Sequence, residues 1–147
     1  MKTPQTDVKY LEGLSAEVMH NESRNWLSEL LFAKDEQLFF DDLIKSYTLK
    51  LVDSKHFAKS KKIVDKLVNL HKETDKLYLT IQKHEADLKI MVNKKHELEE
   101  EENYKREHSE LIVLVADYFE NYKSVKKQLF KLIKAVIREN KQKLLLH

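Results

Sequence analysis

Along most of this 147-residue chain the apolar positions recur at alternating spacings of three and four. Ile63, Leu67, Leu70, Thr74, Leu77, Ile81, His84, Leu88, Met91 and Leu98 form one such series, with a gap at Lys95. Tyr104, His108, Leu111, Val115, Tyr118, Tyr122, Val125, Leu129, Leu132 and Val136 form another. Ile112, Phe119, Phe130 and Ile137 widen this second stripe on one side. A three-four repeat gathers its members on one face of an α-helix and marks a coiled-coil or bundle seam. A stripe as wide as the second suits a helix that packs between two neighbours.

The stretch from Trp26 to Ile44, WLSELLFAKDEQLFFDDLI, does not keep to one stripe. At about 100° per residue, Trp26, Leu30, Phe40 and Ile44 share one face; Leu27, Leu31 and Leu38 share a second; Phe32, Phe39 and Leu43 share a third. Two neighbouring helices can cover the first two faces. The third is left over, and an exposed apolar patch of that kind marks an interface. Phe32, Phe39 and Leu43 are therefore the expected contact with a second copy in a symmetric homodimer, or with another protein partner.

Backbone punctuation is almost absent. Gly13 is the only glycine and Pro4 the only proline, and hairpins are hard to build without such residues. The fold class expected is all-α. Ser15, Asn21 and Ser23 are candidate N-caps for the first helix, and Asp53 with Ser54 offers the first internal turn. A second break falls in NKKHELEEEEN, residues 93–103. There the two seams disagree in register by one residue. Lys94, Lys95 and His96 also give way to Glu97 and Glu99–Glu102, the charge order that suits one helix ending and another beginning. The expected architecture is an antiparallel three-helix up-down-up bundle, packed as a homodimer. Its helices span about 15–52, 54–97 and 101–144 in a single domain over residues 14–147, preceded by a tail over 1–13. The competing expectation is one helix of nearly 90 residues, about 130 Å long.

Composition supports long helices: Ala, Glu, Lys, Leu and Arg make up about half the chain. The chain has no cysteine, which excludes disulfides and thiolate chemistry and fits a cytoplasmic location. The segment MKTPQTDVKY lacks the apolar core of a signal peptide. No apolar run reaches the roughly 18 residues of a membrane span. A net charge of +2 names no partner.

Three constellations remain. Antiparallel pairing sets His84 opposite His108 and near His20, so His20, His84 and His108 could form one layer able to hold zinc or a similar metal. The competing reading is that polar residues at seam positions fix helix register. The paired Glu-x-x-His motifs of di-iron bundles are missing, as are Gly-rich phosphate loops and hydrolase signatures. No catalytic residue and no cofactor are therefore expected. Finally, lysines gather around the first turn and the last part of the third helix, with acids at the other end of the rod. Lys59, Lys62, Lys131 and Lys134 are the candidates to meet an anionic partner: nucleic acid, an acidic protein or a membrane surface.

Overall fold

In the computed structural model of the chain, residues 15–93 and 98–146 are described, apart from the side chains of 92, 93, 98 and 99. The expected tail over 1–13, residues 94–97 of the expected second break and the side chain of the seam position Leu98 lie outside this description. The fold is all-α: four helices, α1 (Ala16–Ser46), α2 (Thr48–Val52), α3 (Phe57–Asn93) and α4 (Leu98–Leu146), with no strand among the described residues.

Ser15 starts α1 as its N-cap, with extended backbone and a side-chain oxygen that accepts the Val18 N–H at 3.2 Å. This satisfies one of the amides a helix start leaves unpaired. The single first helix expected over about 15–52 is in fact two. At Tyr47 the backbone leaves helical geometry (φ −105°, ψ 6°), and α2 begins one residue later. On either side the Ser46 and Thr48 hydroxyls donate to the carbonyls of Asp42 and Ile44, both at 2.9 Å. Such back-bonding competes with the helix ladder and bends it. The expected turn at Asp53–Ser54 is present. Ser54 Oγ donates to Leu51 O at 2.9 Å and accepts the His56 N–H at 3.1 Å, which closes the loop into α3.

Cross-helix partners show how the long helices lie. From α1 to α3 the polar contacts are His20–Glu85, Lys34–Asp75 and His71–Asp41, so the numbers run in opposite order. From α3 to α4 the pairs are His84–His108, Thr74–Tyr118 and Lys66–Gln128, again in opposite order. From α1 to α4, Glu22 meets His108, Glu36 meets Tyr122 and Phe40 meets Phe130, in the same order. α3 and α4 thus fold back on one another, which rules out the single long helix.

Every described member of the two seams is buried, from Ile63 to Met91 on α3 and from Tyr104 to Val136 on α4. The α3 seam also extends backward to Ser60. The α1 seam is not the one read from apolar residues alone. It consists of Met19, Ser23, Trp26, Leu30, Ala33, Gln37 and Phe40, all buried at spacings of four and three. Leu27, Leu43 and Ile44 flank it, partly buried against the main core.

Because Leu30 is fully buried and Phe32 is 70% exposed, truncating them should have unequal effects. Leu30→Ala is expected to cost about 2–5 kcal/mol of unfolding free energy. Phe32→Ala should stay within about 0.5 kcal/mol in dilute protein. Urea denaturation followed by circular dichroism measures both.

Candidate functional site: the outer face of α1 and the polar layers behind it

The rotation of α1 is set by polar groups on its inner face. Gln37 Nε2 donates to Thr74 Oγ1 at 2.8 Å and to the Tyr118 hydroxyl at 3.3 Å, so one layer joins α1, α3 and α4. Thr74 commits its only hydrogen to Leu70 O at 2.7 Å. The 2.5 Å contact between Thr74 and Tyr118 is therefore donated by the tyrosine. Beside this layer Tyr122 donates to Glu36 Oε1, and Lys126 pairs with Glu36 Oε2 at 2.8 Å. Burial of Glu36 acts against its ionisation, but the hydrogen bonds from Lys126 and Tyr122 outweigh it and hold the carboxyl below its usual range.

A second layer lies nearer the start of α1. His84 Nδ1 is 2.8 Å from Glu107 Oε1, His84 Nε2 is 2.9 Å from His108 Nδ1, and His108 Nε2 is 3.4 Å from Glu22 Oε1. Trp26 stacks on His108 at 4.8 Å between centroids, and Tyr104 stacks on His84 at 4.1 Å and donates to the His84 carbonyl at 2.8 Å. Burial depresses both imidazoles: His84 falls below its ordinary value, and His108, with His84 adding to the effect, drops to about 4. Two neutral rings carry two N–H donors, and the two short contacts use both. His84 donates to Glu107, and His108 Nδ1 donates to His84. His108 Nε2 then faces Glu22 without a proton, which accounts for the longest spacing in the layer. The layer divides the interior: Met19, Leu88, Met91 and Tyr104 pack on one side, and the main core lies on the other.

Of the three histidines expected to share a layer, the fold brings His84 and His108 together. His20 lies apart, partly exposed, with its Nδ1 3.6 Å from Glu85. Among the described residues no three His, Asp or Glu side chains converge to hold a metal ion. Trp26 occupies the layer in place of a third imidazole.

The outer face of α1 carries the apolar surplus. Phe32 and Phe39 are 70% and 55% exposed, as the sequence suggests. Leu43 is corrected: it is partly buried against the core, and Leu31 and Leu38, expected under a neighbouring helix, are 48% and 60% exposed. The physical reason is the seam through Ala33 and Gln37. It turns α1 so that Leu31 and Leu38 form one edge of the outer face and Phe32 and Phe39 the other.

At the opposite end, Lys59 and Lys62 on α3 and Lys131 and Lys134 on α4 are all exposed. The contacts Lys66–Gln128 and Lys55–Glu139 bracket these two pairs and put them at the same level of the two helices. Among the described residues no helix is long and apolar enough to cross a membrane. No protein-family model, curated protein or solved structure matches the chain, so function is argued from these features alone.

The histidine layer makes stability depend on pH. In the unfolded chain an imidazole protonates below about 6.5, while the folded layer stays neutral down to lower pH. The unfolded state therefore binds more protons as pH falls, and stability falls with it. The contribution of His108 is lost progressively from about pH 6.5 to about 4 and levels off below that, a loss on the order of 3 kcal/mol. Urea midpoints measured across this range should show the decline, and His108→Leu should flatten it.

Proposed function

We propose that this chain is a non-enzymatic interaction protein. In this reading α1 (with its α2 extension), α3 and α4 form an up-down-up bundle that associates through the outer face of α1, in a cytoplasmic setting and with a second copy of the chain as the simplest partner. One observation carries the proposal. Leu31, Phe32, Leu38 and Phe39 are exposed as two adjacent pairs seven residues apart. Seven residues return a helix nearly to the same angle, so the pairs stack into a stripe of the kind a partner helix covers. Exposed large apolar side chains clustered in this way mark an interaction surface. Covering their exposed parts would stabilise a complex by about 1–2 kcal/mol per side chain.

Sedimentation velocity of the full chain tests this. The expected result is a species above monomer mass at micromolar concentration. Phe39→Asp should weaken association by roughly tenfold or more, about 1.4 kcal/mol, with helicity unchanged. A clean monomer whose solubility and stability are untouched by Phe39→Asp would sink the proposal.

A further inference from the structure

The outer face of α1 is not uniformly apolar. Asp35 and Asp42, both exposed, lie seven residues apart on the line between its Leu31–Leu38 edge and its Phe32–Phe39 edge. Neighbouring acids on the flanks of the core are paired within the chain: Glu36 with Lys126, Asp41 with His71 and Asp75 with Lys34. Among the described residues neither Asp35 nor Asp42 has an ion-pair partner. Two α1 helices packed on each other by these faces would bring four carboxylates together, and like charges at a helix contact oppose pairing. The apolar edges ask for a partner helix, and the acidic line asks that this helix be basic.

The chain itself carries such a helix. On α4, Lys134, Arg138, Lys141 and Leu145 are exposed at spacings of four, three and four, which puts them on one line. Lys134 and Lys141 are seven apart, like Asp42 and Asp35. Leu144, Leu145 and Leu146 are 70%, 85% and 84% exposed. If the two helices run antiparallel, with Lys134 opposite Asp42 and Lys141 opposite Asp35, Leu145 falls opposite Leu31, since each lies four residues further along. Arg138 then falls opposite Leu38, where its aliphatic stem can lie along the leucine while the guanidinium stays in solvent. In the parallel arrangement Leu145 falls opposite Ser46, a polar residue. We propose that the outer face of α1 binds the last turns of α4 from a second copy of this chain, antiparallel, through Asp35–Lys141 and Asp42–Lys134 ion pairs between apolar edges.

This rests on the association proposed for the α1 face but is tested separately. Two variants of the full chain are made, Asp35→Lys with Asp42→Lys, and Lys134→Asp with Lys141→Asp. All four positions are exposed, so both variants should keep the helicity and melting temperature of the parent. In sedimentation velocity at low salt, about one Debye length of 10 Å or more, each variant alone should associate at least about tenfold more weakly than the parent. Mixed in equal amounts they should associate again, because the reversed face of one then meets the reversed tail of the other. The proposal is overturned if each variant alone associates like the parent, or if the mixture stays monomeric. If Phe39→Asp dissociates the parent while the charge reversals do not, the α1 face remains an interface and only its basic partner is wrong. If none of these substitutions alters the sedimentation, both readings fall together.

Discussion

The hydrogen-bonded layer of Gln37, Thr74 and Tyr118 and the layer of Glu107, His84, His108 and Glu22 each take groups from α1, α3 and α4. An apolar seam alone allows a helix to slide by a heptad or rotate by a fraction of a turn at modest cost, because leucine packs on leucine in many arrangements. A buried polar group does not. Misplaced by one turn, Gln37 or His108 would lose its partners in a medium that cannot replace them. Among the described residues the buried polar side chains Ser23, Gln37, Ser60, Thr74, His84 and His108 all occupy seam positions. They trade apolar contact for a single register.

That register shapes the outside of the bundle as much as the inside. Once Ala33 and Gln37 face the core, Leu31, Phe32, Leu38 and Phe39 must face away. The apolar stripe on the surface and the polar layers in the interior are two sides of one rotational choice. A rotation that buried the leucines instead would strand Gln37 and break the contacts of Glu36 with Tyr122 and Lys126. The histidine layer adds a cost of its own, because it holds two imidazoles neutral at pH values where the unfolded chain would protonate them. It stacks them between Trp26 and Tyr104, which supply flat apolar surface while the His84–Glu107 and His108–His84 hydrogen bonds are kept at the ring edges.

The seams of α3 and α4 were legible in the sequence because most of their members are large and apolar, so the three-four repeat stands out even with Thr74, His84 and His108 inside it. The turn at Asp53–Ser54 was legible from its capping chemistry. The register of α1 was not. Its true seam passes through Ser23, Ala33 and Gln37, which a count of apolar residues treats as surface, while Leu31 and Leu38 looked like core. The repeat Met19, Ser23, Trp26, Leu30, Ala33, Gln37, Phe40 was there to be found by spacing. What made it the seam, however, lies on other helices: a hydroxyl at Thr74 and a phenol at Tyr118 that give Gln37 a reason to be buried. The break at Tyr47 was missed for a similar reason, since it rests on local hydroxyl back-bonds rather than on glycine or proline. The exposure of Phe32 and Phe39 is legible because no arrangement of three long helices covers every face of so apolar a stretch.

The central claim is the rotational register of α1, and the absence of cysteine from the chain permits a direct measurement. Single variants Phe32→Cys and Ala33→Cys place one thiol on each of two adjacent residues, one 70% exposed and the other 2% exposed in the parent. Their rates of reaction with a thiol reagent in dilute, folded protein compare the two faces. If the polar layers set the register as described, the thiol at 32 reacts close to the rate of a free thiol, and the thiol at 33 reacts only as fast as the protein unfolds. Equal rates at the two positions, or faster reaction at 33, would contradict it.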